Sequence, residues 1–127
     1  MLYASCCMTR SHLAGKIAPA ADLPELFGSP ENAMPGAELL KAIAHPLRLC
    51  IVARLCAGPT SVSELAEELG TAQALVSQQL AILRVHRIVE YSIEARRRVY
   101  RLAEPRVRHM LHCLGACLRE RAERGTL

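Results

Sequence analysis

Residues 61–86 decide the fold, and they read SVSELAEELGTAQALVSQQLAILRVH. Ser61-Val62-Ser63-Glu64 has the form of a capping box, in which the serine hydroxyl and the glutamate carboxylate each bind a backbone N–H at the start of a helix. This helix is predicted to end at Gly70, which suits the left-handed conformation found after a last turn. Thr71 then fits the N-cap of a second helix, predicted to reach the end of the quoted stretch. Two helices joined by so short a turn form a helix-turn-helix, whose second helix can enter a groove of DNA.

Two further helices are predicted upstream of this motif. Apolar residues at helical spacing predict a short helix over residues 37–44, which ends before the His45-Pro46 step. Pro46 suits the first position of the next helix, because its missing N–H has no intrahelical partner there. Gly58-Pro59 ends that helix just before the helix-turn-helix begins.

Downstream of the motif, the spacing of apolar residues changes to that of strands. Residues 88–93 and 99–102 alternate in polarity, and a charged turn at residues 94–97 lies between them. This pattern predicts a two-stranded hairpin, which makes the whole a winged helix. Glu104-Pro105 then begins a last helix that continues to about Ala122 and carries an apolar stripe of the kind that packs against a partner subunit.

The predicted fold class is therefore mainly α with a two-stranded β-hairpin, a winged helix-turn-helix. The chain has 127 residues, which suits one domain, since domains have about 150 residues. Residues 1–36 hold four of the seven prolines and show no sustained period, so they are predicted to form a flexible N-terminal arm. Residues 37–122 are the predicted DNA-binding and dimerisation domain, and residues 123–127 a C-terminal tail.

Composition excludes several classes of function. Aromatic residues make up only 3% of the chain, too few for sugar stacking or aromatic cages, and the net charge of +4 permits an anionic partner. No apolar run is long enough to span a membrane, and the start lacks the basic region of a secretory signal, so a cytoplasmic location is expected. The six cysteines are then expected to be reduced, and reduced cysteines are more often metal ligands or redox-active thiols than structural disulfides.

An enzyme is not expected. Catalysis would need a nucleophile with an oriented base, a pair of carboxylates in a cleft or a glycine-rich phosphate loop, and the sequence offers none of these in a convincing context.

Three separated motifs resemble the ArsR/SmtB family, the arsenic-repressor family. They read LKAIAHPLRL at residues 40–49, SELA at residues 63–66 and VSQQLAILR at residues 76–84, and the resemblance covers roughly residues 37–120. It implies a small homodimeric winged-helix repressor that binds an inverted-repeat operator in double-stranded DNA. It also implies that the repressor leaves its operator when a metal, a metalloid or a reactive sulfur species binds, with no permanent cofactor.

The second helix of the motif and the hairpin tip carry the predicted DNA contacts. Leu75, Val76, Leu80 and Leu83 are predicted to form the buried side of the helix. A glutamine can present a donor and an acceptor to an adenine edge, and arginines suit phosphates. The family often has histidine where Gln78 stands, which bears on operator preference. The candidates are Gln73, Ala74, Ser77, Gln78 and Arg84 on the helix, with Arg96, Arg97 and Arg98 at or beside the hairpin tip.

Three cysteines form the leading candidate for an inducer site. Cys6 and Cys7 lie in the arm, and Cys56 lies at the end of the second predicted helix. Thiolates prefer soft ions, and a set of three sulfurs suits trigonal As(III), so As(III) or Sb(III) is favoured, with Cd(II) and Pb(II) as alternatives. The competing interpretation is that Cys56 is a small buried apolar residue and that the pair lies in a disordered tail.

The last helix offers a second group of donors. His109, Cys113 and Cys117 repeat every four residues and therefore share one face, and Glu120 lies one turn further. These residues suit Zn(II) or Cd(II), alone or with a partner subunit, but packing of Cys113 and Cys117 at a dimer interface is the favoured interpretation. A third interpretation is thiol redox or persulfide sensing, in which Cys50 pairs with a cysteine of the last helix.

The sequence also departs from two sensor patterns of the family. The best-known metal box is Cys-Val-Cys, and Ser61-Val62-Ser63 occupies those positions here. The four ligand positions of the zinc site in other relatives correspond to Glu104, Arg106, Cys117 and Glu120 here. Arg106 is a cation and therefore cannot serve as a zinc ligand at its position. In persulfide-sensing relatives the first cysteine matches Ala53 and not Cys50. These departures disfavour a standard zinc sensor. They also leave persulfide sensing as the second interpretation, after thiolate binding of a soft metal or metalloid.

Overall fold

The computed structural model describes residues 22–126, and within them the protein is mostly helical with a small antiparallel sheet. The predicted fold class, a mainly α winged helix-turn-helix, is confirmed. The elements in chain order are α1 (Leu23–Leu26), α2 (Pro30–Ile43), α3 (Pro46–Cys56), β1 (Thr60–Ser61), α4 (Val62–Leu69), α5 (Gln73–Val85), β2 (Val89–Glu94), β3 (Arg97–Leu102) and α6 (Arg106–Glu123).

The chain divides into two compact units. One unit comprises Gly36–Arg108 and contains the helix-turn-helix and the sheet, and the other includes the described residues 22–35 and 109–126. None of the helices in the described stretch, residues 22–126, has the length and apolar character needed to cross a membrane.

The predicted capping box at the start of α4 is confirmed. The Ser61 hydroxyl accepts a hydrogen bond from the backbone N–H of Glu64, and the Glu64 carboxylate accepts one from the N–H of Ser61, both at 3.3 Å. At the other end, Gly70 adopts the left-handed conformation with a φ of 60°, which costs a glycine little because it has no Cβ. Local chemistry therefore sets both ends of α4.

The core of the first unit lies where α3, α4 and α5 pack against the sheet. Its side chains are aliphatic apart from Tyr100, as the low aromatic content predicts. The fully buried members include Ile51, Val52 and Leu55 of α3, Leu65 of α4, Val76, Leu80 and Leu83 of α5, and Ile88, Val89 and Val107. Burying a residue of this size contributes about 1.5 to 3 kcal/mol, so this core supplies most of the driving force for folding.

Arg48 of α3 connects two other helices in the same unit. Its Nε donates to the carbonyl oxygen of Ala42 near the end of α2 at 2.6 Å, and its Nη1 donates to Oε1 of Gln79 on α5 at 2.9 Å. His45 caps the start of α3, because its Nδ1 accepts a hydrogen bond from the N–H of Leu47. The predicted start of α3 at Pro46 is confirmed.

The sheet differs from the predicted two-stranded hairpin because it has a third strand. Thr60 pairs with Tyr100 and Ser61 with Val99, so the sheet order is β1-β3-β2. A strand of two residues is too short to show alternation, which is why its sequence gives no signal. The turn is also tighter than predicted, because Glu94 and Arg97 are paired strand residues. The loop is Ala95-Arg96 alone, with φ of 50° and 65°, as a two-residue type I′ hairpin turn requires.

The prediction that residues 1–36 lack helical structure is wrong for residues 23–26 and 30–36. α2 begins at Pro30 and not at residue 37, and the Ser29 hydroxyl accepts the N–H of Asn32 at 3.2 Å. Pro30 stands at the first helical position, where its missing N–H costs nothing, and Pro35 lies inside the helix. The density of proline and glycine hid this helix from the sequence pattern.

Three further details of the helices correct the predictions. α5 begins at Gln73, and its N-cap is Ala72 and not Thr71 as predicted. The Thr71 hydroxyl donates to the carbonyl of Leu69 instead of capping the helix. Leu75, predicted to be buried, is 42% exposed. α6 begins at Arg106, whose N–H is bound by the Glu104 carboxylate, and not at residue 104.

The capping box gives a prediction about stability. Ser61→Ala should lower the free energy of unfolding by about 1 to 2 kcal/mol, because it leaves a helical N–H without its acceptor. The measurement is urea unfolding followed by circular dichroism. Ser77→Ala on α5 is the matched control, since Ser77 is exposed and caps no helix, and it should change stability by less than about 0.5 kcal/mol. Equal effects of the two changes would contradict the role given to the cap.

Candidate nucleic-acid interface

A groove of about 410 Å³ lies between the helix-turn-helix and the hairpin. Three short segments form its walls: the start of α4, the start of α5 and the first residues of β3. Its lining residues are Ser61, Val62, Ser63, Gln73, Ala74, Ser77, Arg97 and Arg98. Five of the eight predicted DNA contacts therefore line one concave surface.

α5 presents the predicted contact face to solvent. Val76, Leu80 and Leu83 are fully buried at spacings of three and four, so the residues between them point away from the core. Gln73, Ala74, Ser77, Gln78 and Arg84 are all exposed. Gln79 is the one polar residue of α5 that is partly buried, and its side chain accepts a hydrogen bond from Arg48. All five helix residues predicted to contact DNA are therefore accessible from solvent.

The arginines of the hairpin are arranged in three different ways. Arg96 is the second of the two left-handed residues in the hairpin turn. Arg97 is exposed, and its Nη1 lies 3.8 Å from Oε1 of Glu64 on α4. The guanidinium of Arg98 lies over the ring of Tyr91, as does that of Arg84 from the end of α5.

The electrostatics of the groove combine cations with the starts of two helices. The N-termini of α4 and α5 both lie at the groove, and the backbone N–H groups at a helix start attract anions. Glu64 is the acidic group nearby. Hydrogen bonds from the Thr60 hydroxyl and the Ser61 N–H lower the pKa of its carboxyl, with a smaller effect of Arg97, so it is ionised at neutral pH. A phosphate would therefore meet two guanidinium groups and one carboxylate.

The cysteines proposed as sensors fall in different places. Cys6 and Cys7 lie outside the described residues. Cys56 ends α3 and is partly buried, and its carbonyl oxygen accepts a hydrogen bond from Arg108 Nε at 3.1 Å. Burial raises the pKa of the Cys56 thiol, and Arg108 opposes this effect. Cys50, on the same helix, is exposed.

The donor group on α6 forms no metal site with other residues of the described part of one chain. Across residues 22–126, no three His, Cys, Asp or Glu side chains come together in an arrangement that could hold a metal ion. This includes His109, Cys113, Cys117 and Glu120. His109 Nδ1 is buried and has no hydrogen-bond partner among the described residues. A site shared with a partner subunit stays a prediction.

Sequence reasoning missed Glu64 and Tyr91, whose side chains contact the arginines predicted to bind DNA. Glu64 was assigned to the capping box alone, and its second role depends on the pairing of β1 with β3, which brings α4 beside the hairpin. Tyr91 was assigned only to the alternating pattern of a strand. Its alignment opposite Tyr100 follows from the strand register, once the two-residue turn is known.

Comparison with known proteins decides the family. The family model described as "Bacterial regulatory protein, arsR family" matches residues 45–91. A biofilm growth-associated repressor of Xylella fastidiosa is 40% identical over 78 residues, which are 61% of this chain and 68% of that protein. The chain belongs to the ArsR family. The resemblance inferred from the three motifs is thereby confirmed.

Solved structures agree with this assignment. HlyU from Vibrio cholerae is 35% identical with a TM-score of 0.63, and the match covers 68% of this chain and 94% of that one. The AntR antimony-specific transcriptional repressor is 33% identical with a TM-score of 0.66, covering 76% of this chain and 86% of that one. This ArsR-family protein is therefore a DNA-binding transcriptional repressor, and the prediction that it is not an enzyme is confirmed.

The hairpin arginines give a prediction about salt dependence. Replacing Arg96 and Arg97 by alanine should weaken binding to all DNA sequences alike and reduce the slope of log affinity against log salt by about 1 to 2, since each lost phosphate contact removes about 0.9. Fluorescence anisotropy at four salt concentrations measures this slope. Arg121→Ala together with Arg124→Ala, which removes two charges in and after the last turn of α6, is the control and should leave the slope unchanged. An unchanged slope in the hairpin variant would contradict phosphate contact there.

Gln78 gives a separate prediction about sequence discrimination. Gln78→Ala should reduce discrimination at one base pair of each half-site by about 1 to 3 kcal/mol if the side chain reads a base edge with two hydrogen bonds. Anisotropy on duplexes with single substitutions measures this, with a random duplex as reference. Equal losses on operator and random DNA would argue against base readout by Gln78.

Proposed function

We propose that this protein is a homodimeric repressor that binds an inverted-repeat operator and is released when thiolates bind a soft metal or metalloid. α5 would enter the major groove, and the hairpin would contact the adjacent backbone. The observation that carries the DNA-binding part is the groove, which joins the exposed face of α5, two helix starts and two arginines on one surface. In this proposal, residues 37–122 form the DNA-binding and dimerisation domain.

Exposed apolar residues support a second copy as the partner. Leu114 and Leu118 of α6 are 42% and 41% exposed, and they lie four residues apart on one helical face. In the same unit, Leu23, Leu26, Phe27 and Met34 are also exposed. To bind two half-sites, such a dimer would need its two α5 helices about 34 to 36 Å apart, or a multiple of this.

Arsenite or antimonite is the inducer that we favour, with Cys6, Cys7 and Cys56 as ligands. Three thiolates are the donor set that trigonal As(III) prefers, and similarity to an antimony-specific repressor supports a metalloid. Binding of As(OH)₃ would break three S–H and three As–O bonds, form three As–S bonds and release three waters. Cd(II) and Pb(II) remain alternatives, because they prefer the same donors.

Release from DNA would follow from a change in geometry. A bond between the arm and the end of α3 would change the spacing of the two recognition helices relative to the half-sites. A coupling free energy of a few kcal/mol suffices, because each 1.4 kcal/mol changes the affinity about tenfold.

Thiol redox or persulfide sensing is the second candidate, and the exposure of Cys50 favours it. An exposed thiol is accessible to an oxidant or a persulfide, and a bridge to Cys113 or Cys117 would then be the signal. A Zn(II) sensor ranks below it, because residues 22–126 of one chain bring no three suitable donors together.

The first experiment is an arsenite titration of the reduced protein on its own promoter DNA. Under anaerobic conditions and at one salt concentration, fluorescence anisotropy should report release near one equivalent per protomer. Cys56→Ser and the double change Cys6→Ser, Cys7→Ser should both stay bound, because either change removes part of the donor set. Cys50→Ser, a change of an exposed thiol on the same helix, is the matched control and should respond like the wild type.

Two other outcomes would redirect the proposal. If Cys56→Ser is still released by arsenite, the site does not include Cys56. If arsenite has no effect and polysulfide releases the wild type but not Cys50→Ser, the redox candidate replaces the metalloid. Ellman titration after polysulfide exposure counts the thiols that have reacted.

The raised pKa of Cys56 predicts a difference between inducers in their pH dependence. A protonated thiol must lose its proton to bind Cd(II), so between pH 6 and pH 8 the apparent affinity for Cd(II) should rise by up to about tenfold per pH unit for each proton released. Arsenite exchanges hydroxide for thiolate without net proton release, so its apparent affinity should stay nearly constant. Titrations of both inducers at three pH values check this, and parallel curves for the two would contradict it.

A further inference from the structure

Two of the arginines predicted to contact DNA stack on one aromatic ring. The Cζ atoms of Arg84 and Arg98 each lie 4.7 Å from the centroid of the Tyr91 ring. Both distances fall within the roughly 6 Å range of cation–π attraction. Arg84 lies in the last turn of α5 and Arg98 in β3, so one ring contacts both the recognition helix and the hairpin.

The strand register holds this ring in place. Tyr91 lies directly opposite Tyr100, with ring centroids 5.4 Å apart and ring planes at 45°. Tyr100 is only 3% exposed, so it anchors the pair to the core. Arg98 precedes Tyr100 by two residues and therefore lies on the same face of β3, at the diagonal position from Tyr91 that long side chains can reach.

Packing in the core does not explain why an aromatic residue stands at position 91. Its ring is only partly buried, whereas Tyr100 beside it fills the core position. The chain has just three tyrosines, and two of them are paired here, under two exposed arginines. An aromatic ring at the surface, between cations from two elements, is suited to orienting those cations.

We propose that Tyr91 is a positioning residue for DNA binding, which holds the guanidinium groups of Arg84 and Arg98 where the phosphate backbone meets them. Long arginine side chains lose rotamer entropy when they bind, and a side chain that is already ordered loses less. Tyr91 thereby also fixes the distance between the cation at the end of α5 and the cation on the hairpin. The inference rests on the proposed DNA contacts of these two arginines.

The test compares Tyr91→Leu with Tyr91→Phe on promoter DNA by fluorescence anisotropy. Tyr91→Leu removes the π face and should weaken binding about tenfold, because two side chains must then be ordered on binding. Its salt slope should equal that of the wild type, since the same phosphates are contacted. Tyr91→Phe keeps the ring and should bind like the wild type. Urea unfolding of both variants verifies that each is folded under the assay conditions.

A variant cycle separates positioning from a general effect on the fold. Arg84→Ala with Arg98→Ala should reduce the salt slope by about 2, and adding Tyr91→Leu to that pair should change affinity less than twofold. If Tyr91→Leu weakens the pair as much as it weakens the wild type, it acts through the fold and the proposal is overturned. If the arginine pair leaves the slope unchanged, the proposal also fails, while specific binding by the wild type keeps the repressor function.

NMR of the DNA-free protein gives an independent readout. The Hε resonances of Arg84 and Arg98 should be shifted upfield by the ring current in the wild type and in Tyr91→Phe, and this shift should disappear in Tyr91→Leu. Unshifted resonances in the wild type would show that the arginines do not stack on Tyr91 and would overturn the proposal. A wild type that shows the shift but binds no promoter DNA would instead contradict the proposed function.

Discussion

The carboxylate of Glu64 is where the helix-turn-helix meets the hairpin, and the arrangement of the site depends on it. One oxygen accepts hydrogen bonds from the Thr60 hydroxyl at 2.7 Å and from the Ser61 N–H at 3.3 Å, and the other faces Arg97 of β3. Thr60 and Ser61 are nearly fully buried, so their polar groups need partners inside the protein. The same two residues form β1 and pair with β3. The start of α4 is thus fixed against the sheet by backbone pairing and by a carboxylate that also faces the hairpin.

This arrangement explains why the DNA-facing groups lie together. The start of α5 follows α4 after a tight turn at Gly70, and the hairpin arginines follow from the register of β3. The resulting groove has helix starts on one side and guanidinium groups on the other, which suits a phosphate backbone. Arg48 adds a second constraint, because it connects the end of α2 to Gln79 of α5. The recognition helix is therefore held from the core side by polar contacts as well as by packing.

Local signals account for the parts of the fold that the sequence predicted well. The capping box, Gly70, Pro46 and the alternating sequence of residues 88–93 each depend on neighbours within a few positions. The first three occur at the predicted helix ends, and the alternating stretch forms β2 from Val89 onwards. The predictions failed where a local signal was overridden or absent. Prolines at 30 and 35 were interpreted as breakers but are accommodated in α2, and β1 is too short to leave a pattern. Leu75 follows the helical period of α5 only approximately and lies outside the buried stripe.

The sequence by itself determined the family, the order of the elements from α3 to α6 apart from β1, and the exposure of the five α5 residues predicted to contact DNA, because periodicity and helix ends are encoded locally and the three family motifs are continuous stretches. It also named the arginines of the hairpin. Only the tertiary structure decided what those arginines contact: Arg97 faces Glu64, whereas Arg84 and Arg98 share the ring of Tyr91. These contacts join residues that are 7 to 33 positions apart in the chain. They exist because strand register and helix packing bring separate elements together, and no spacing within one element specifies that.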